Sequence, residues 1–227
     1  MDPARLKGTL PAFVTIHSGN NHPGAGFFEP SVAPLPIGDT DKGLQNSKRR
    51  REVSEADFNR QIALRTKLDD GFASKFGKGQ RGVRAYDEMF NSAVSLMKSK
   101  DLEAFDLSKE SADTRAAYGT EKFSKGVLLA LRLVEHGVRF VEVQYGGFDW
   151  HSDAFTKTDE MLPVLDQAYA ALLTDLEQRG LLESTLVVIA TIASAMGLQH
   201  NQALYSPTKR PFKMGGKTGK PIAEVLA

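Results

Sequence analysis

Two hydrophobic periods alternate along the 227-residue chain, and the points where one gives way to the other outline its elements. Leu10-Pro11-Ala12-Phe13-Val14-Thr15-Ile16 is rich in residues that suit a pleated surface and predicts a short buried strand over 12–16. From His17 to about Asn46 neither period is present. Gly, Pro, Asn and Asp dominate there, six of the ten prolines fall by Pro36, and the stretch reads as a long ordered loop or surface arm. Ser54 followed by Asp57 is a helix N-cap pattern. Leu64, Leu68, Phe72 and Phe76 then recur every four residues, predicting an amphipathic helix that ends at the break from Gly77 to Gly82. Val83, Tyr86, Phe90, Ala93 and Met97 alternate threes and fours on a second helix. That spacing predicts a core-facing stripe and, with the first helix, a helical hairpin over 54–100 packed on something larger.

The stretch from 120 to 191 reads as an α/β unit. Phe123, Val127, Ala130, Leu131 and Val134 mark a helix that stops at His136-Gly137, with Gly at the usual left-handed cap. Val138 to Tyr145 follows as a strand and Gly146 to His151 as a polar turn. A long helix then carries Leu162, Leu165, Tyr169, Leu172 and Leu176 on one face. Pro163 is assigned to its first turn, where a missing N–H is harmless, and Arg179-Gly180 closes it. Leu186-Val187-Val188-Ile189-Ala190 is an apolar run between polar flanks, the pattern of a strand buried on both faces. Strand, helix, strand is a βαβ unit with an expected right-handed crossover. The named strands are 12–16, 138–145 and 186–190, fewer than the roughly four to six of a usual sheet. The expectation is therefore an α/β fold with an incomplete, mostly parallel central sheet flanked by helices, whose open edges invite self-association. It is expected as a single incomplete domain over 1–227. A strand and long loop occupy 1–53, the hairpin 54–100, the βαβ core 120–191, and a C-terminal helix with a basic tail 192–227.

Composition narrows the class. Apolar residues make up 41% and charged residues 25%, which excludes a wholly disordered, collagen-like or coiled-coil chain. Lys and Arg number 29 against 28 Asp and Glu, a net charge of +1, so no global field draws the chain to nucleic acid or to an anionic membrane. The absence of cysteine excludes disulfides, thiolate nucleophiles and Cys-based zinc or iron–sulfur sites. No apolar run reaches the roughly 18 residues of a membrane helix. Met1 to Arg5 holds no apolar stretch of the signal-peptide kind, so the chain is expected to be soluble with no readable export address.

Ligands of open α/β sheets bind beyond the carboxyl ends of the strands, which is where the turn after Tyr145 places Asp149 and His151. Their spacing of two puts both side chains on one side of an extended segment, with Trp150 on the other. One carboxylate and one imidazole suit zinc, manganese or iron, but a site needs at least one more protein ligand. The alternative is a turn in which Asp149 caps backbone N–H groups. His17 and His22, with Asn20 and Asn21 between, are metal or anion ligands or else turn formers. Lys48-Arg49-Arg50-Arg51 is a phosphate-binding patch or a solvated loop neutralised by Glu52, Glu55 and Asp57. Lys209, Arg210, Lys213, Lys217 and Lys220, against Glu224, read as a solvated end. Ser18, Ser152 and Thr156 carry hydroxyls, but no base and orienter can be assigned to any of them.

Five stretches carry a resemblance when taken in order: Ala104-Phe105-Asp106-Leu107, Arg115-Ala116-Ala117-Tyr118-Gly119, Leu128 to Val141, Phe148-Asp149-Trp150-His151, and Asp175 to Leu182. Together they resemble the bacterial family called domain of unknown function 1501, a relative of the sulfatase and alkaline phosphatase superfamily, over about Leu10 to Thr191. The resemblance implies an alkaline-phosphatase-like α/β sandwich, an exported location and a metal-dependent hydrolase-like site for small-molecule esters. It also implies that Asp149 and His151 belong to a site for a divalent metal of zinc or manganese type. They match the family's Trp-Asp-x-His pattern, with Phe148 where Trp is usual. Leu131 stands where the pattern Leu-Leu-Ala-Arg-Arg-Leu has its first Arg.

The family's upstream region, with a signal and an Asp-bearing first loop, is expected to have no counterpart here. The same holds for its later Glu-Phe-Gly-Arg-Thr-Pro and Gly-Arg-Asp-His-His segments. Instead Ala190-Thr191 runs straight into Ile192 to Leu198, which is similar to the family's near-terminal helix. An internal deletion at Ala190-Thr191 is expected, leaving a metal site too incomplete for hydrolysis. The expected function is that of a partial, catalytically inactive member of an exported hydrolase-like family. The alternative is a non-catalytic binding or scaffolding protein that uses the His17–Asn46 loop and the hairpin.

Overall fold

Residues 8–19, 22–29, 32–76, 81–148 and 150–190 are described by a computed structural model. The chain divides into two units, Met1–Gly146 with Asp153–Thr185, and Gly147–Ser152 with Leu186–Ala227. The first holds a parallel sheet of β1 (Phe13–Ile16), β2 (Leu35–Ile37) and β3 (Phe140–Val143), in the order β2-β1-β3. Ile16 pairs with Ile37 on one side and with Val143 on the other, so the three strands run out at one common edge. Side chains alternate across a strand. Val14 and Ile16 enter one face, where they meet Ile37, Ala104, Phe105, Leu129, Leu133 and Val138 in the main core. Phe13 lies on the opposite face, edge-on to Phe140.

The core's other wall is α4 (Lys122–Glu135), which buries residues most of the way around its circumference. It packs against β3 and also against α3 (Ala112–Tyr118) and α5 (Ala154–Gln178). Both α4 and α5 end as the glycines predict. Gly137 and Gly180 take positive φ, and the next amides, Val138 and Leu181, bond back to Leu133 and Leu176 carbonyls at 2.9 and 2.7 Å. Between the hairpin and α3 the chain makes 3₁₀ turns at Lys100–Phe105 and Leu107–Lys109. Asp101 in the first of them accepts from the Thr9 amide and hydroxyl at 2.8 and 2.7 Å, anchoring the approach to β1.

Four expectations need correction. Leu186–Ala190 is not a strand: its backbone joins no ladder among the described residues and Leu186 is 88% exposed. An apolar run records a capacity for burial, and burial on both faces requires neighbours to be docked there. The third strand is instead β2, inside the His17–Asn46 stretch whose pattern predicts a long ordered loop or surface arm. Its Pro36 cannot donate to a ladder, which an edge strand tolerates. Pro163 is an interior residue of α5, because that helix begins at Ala154.

The fourth correction concerns the hairpin of α1 (Glu55–Phe76) and α2 (Arg81–Met97). It forms where expected but does not turn its stripe to the core. Leu64, Leu68, Phe72 and Tyr86 are each more than half exposed. Periodicity shows that a face is apolar and is silent on what covers it. What joins the two helices is largely Arg65. Its guanidinium lies 3.3 Å from the Phe90 ring centre, bonds Asp87 at 3.2 Å and pairs with Asp69 at 2.9 Å. Among the described residues no helix is long and apolar enough to cross a membrane.

Candidate functional site

The carboxyl edge of a parallel sheet is where such folds place ligands. Here β1 runs into His17 and Ser18, and β2 into Gly38 and Asp39, while α4 opens nearby with Lys122. His17 adopts a positive φ of 61°, uncommon for a residue with a side chain, and its amide donates to the Ile37 carbonyl at 2.8 Å. The imidazole occupies a niche on the α4 side of the sheet. A methyl group added at Gly126 would sit 2.8 Å from His17 Cε1 and 3.1 Å from Val143 Cγ1. His17 Nε2 is buried and has no hydrogen-bond partner among the described residues. Burial lowers the imidazole's proton affinity, the Lys122 cation lowers it further, and Asp39 opposes them.

His22 goes to the other face of the sheet. Its ring is edge-on to Phe13, and its Nε2 is 3.6 Å from the Glu142 carboxylate. The structure therefore separates His17 and His22, which the sequence offered as metal or anion ligands or else as turn formers, onto opposite faces of the sheet. Ser18 is not poised as a nucleophile: its buried hydroxyl donates to Thr15 Oγ1 at 3.0 Å. Ser152 and Thr156 are exposed, as is the Lys48–Arg51 run, whose Arg49 bonds the Val53 carbonyl.

Asp149 lies outside the described residues, and so does the Ile192 to Ala227 region with its predicted helix and basic tail. His151 is an exposed residue of the second unit, close in sequence to the start of α5. Among the described residues no three His, Asp or Glu side chains converge as a metal site would require. One described imidazole does not by itself hold a divalent cation tightly.

Two arginines from the stretches behind the resemblance, Arg132 and Arg179, meet a residue outside all five, Glu110, in a charged frame. Glu110, on the turn before α3, accepts from Arg132 of α4 and, at 2.8 Å, from Arg179 at the end of α5. Arg132 also donates to the Ala104 and Glu103 carbonyls at 3.1 and 2.7 Å, and Arg179 to Glu135 at 2.8 Å. Burial works against the ionised Glu110, but the hydrogen bonds from Arg179 and Arg132 outweigh it and hold the carboxyl below its ordinary value. The same contact with Glu110 raises Arg179 further above the range in which it could lose its proton. Tyr118 is fully buried beside this frame, and burial followed by the Asp175 charge pushes its phenol up. Leu131, at the position where the pattern has Arg, is fully buried.

Glu110 belongs to none of those stretches and lies 22 residues from Arg132 and 69 from Arg179, so no local pattern signals that the three meet. The readable signal that sequence reasoning passed over was Gly126. An isolated glycine in a helical pattern marks a close approach.

The profile of a family described as a protein of unknown function, DUF1501, matches residues 4–191. No curated protein and no solved structure matches the chain.

Proposed function

We propose, from the premise that this chain belongs to the DUF1501 family, that it is a hydrolase-like scaffold of the sulfatase and alkaline phosphatase type. In this reading Asp149 and His151 contribute to a site for zinc or manganese that the chain completes only in part, and small-molecule esters are turned over slowly or not at all. The observation behind it is positional. In the sequence Asp149 and His151 come six and eight residues after β3, a strand of the parallel sheet, and such folds carry out chemistry past the carboxyl ends of their strands. The family match stops at Thr191, the residue where the sequence places an internal junction, which supports a loss of ligand-bearing segments beyond it.

An aryl phosphate and an aryl sulfate, each with added zinc or manganese, test this reading. The expected rate equals that of metal alone, and Asp149→Ala leaves it unchanged. A rate well above that background, lost in Asp149→Ala, would overturn the reading of lost catalysis. The second reading, a non-catalytic binding or scaffolding protein, is favoured by the open apolar face of the hairpin at Leu64, Leu68 and Tyr86. It too would fall to an Asp149-dependent rate.

A further inference from the structure

We propose that His17 is a proton-operated latch: neutral, it seats beside Gly126 and fixes the chain as it leaves β1; protonated, it withdraws and frees that turn. The inference is independent of any metal at Asp149 and His151.

The neutral ring fits a niche that only glycine leaves open. A side chain at position 126 would collide with Cε1 at 2.8 Å and with Nδ1 at 3.2 Å. With the ring held there His17 sits at a φ of 61°, a sparsely populated conformation that persists only while surrounding contacts impose it. Nε2 is the vulnerable atom. In the neutral ring one nitrogen carries no hydrogen, so an unpartnered Nε2 is tolerable. Protonation makes both nitrogens donors and leaves a charged N–H buried without an acceptor, which is far more costly.

The surroundings offer little compensation. From α4 the facing charge is Lys122, at the positive end of the helix. From β3 the facing side chain is Val143, while Glu142 points to the opposite face and is met there by His22. Beyond β2, Asp39 is the opposing influence among the described residues, and Asp41 is engaged by Lys125 at 2.8 Å. A group that binds protons less readily folded than unfolded withdraws stability as pH falls. The loss starts below the ordinary imidazole value of 6.5 and continues through the folded-state value.

The test is a pH titration of the whole chain followed by nitrogen-15 NMR of the histidine rings and of the His17, Ser18 and Gly126 amides. The expected result is a His17 midpoint below 6.5, shared by those three amides. Lys122→Met should raise the midpoint and Asp39→Asn lower it. Gly126→Ala, which crowds the seat, should return it toward the ordinary value. Titration at the ordinary value in the unaltered chain, or a ring titration that leaves the Gly126 amide unmoved, would overturn the latch.

Discussion

Glu110→Ala is expected to destabilise the chain by about 3–5 kcal/mol, the usual cost of removing one partner from a buried ion pair. At roughly 2–4 °C per kcal/mol for a chain of this size, the thermal midpoint should fall by about 6–20 °C. The reason lies in what remains. Arg132 and Glu110 side chains are 6% and 9% exposed, so deleting the carboxylate leaves a buried guanidinium held by two carbonyls without the carboxylate that it contacts. Arg179 would keep Glu135 and, at 3.7 Å, Asp175, and should suffer less. Glu110→Gln preserves shape and some hydrogen bonding and should fall between.

The frame also sets an acid limit. The folded state holds the Glu110 proton less tightly than the unfolded chain. Its contribution is therefore complete above the ordinary value of 4.5 and is lost as pH falls through the folded-state value. Denaturant titration of both variants at neutral pH measures the effect. A change under about 1 kcal/mol, typical of exposed pairs, would show that the frame is solvent-screened.

Leu129→Ala should cost about 2–5 kcal/mol, from lost transfer energy plus the cavity left behind. Leu129 is 0% exposed and sits among Val14, Ile16, Leu133 and Val138, at the seam between α4 and the sheet. Collapse of the cavity is hindered because β1 is held by a strand on each side. Leu64→Ala, on the exposed face of the hairpin, is the contrasting control and should change stability by less than about 0.5 kcal/mol. Equal losses at the two positions would contradict the assignment of the core.

Local pattern revealed what local forces decide. The β-branched runs of β1 and β3, the stripe of α4 and the closing glycines of α4 and α5 were readable because each is settled within a few residues. β2 was hidden because its three residues include a proline and owe their conformation to pairing with β1. Leu186–Ala190 misled for the converse reason: its composition suits a strand, but strand formation depends on a partner elsewhere. At the candidate site, the ordered motifs pointed to the family, and two of them supply the arginines, Arg132 and Arg179, that meet at Glu110, a residue outside every motif. The niche of His17 depends on a glycine 109 residues away, a separation no spacing rule covers.

Calorimetric titration with zinc and then manganese, on the unaltered chain and on Asp149→Ala and His151→Ala, bears most directly on a metal site supplied only in part. The expected result is binding weaker than about 1 μM that either substitution abolishes. Stoichiometric binding much tighter than that, surviving both substitutions, would mean that other side chains of this polypeptide complete a metal centre.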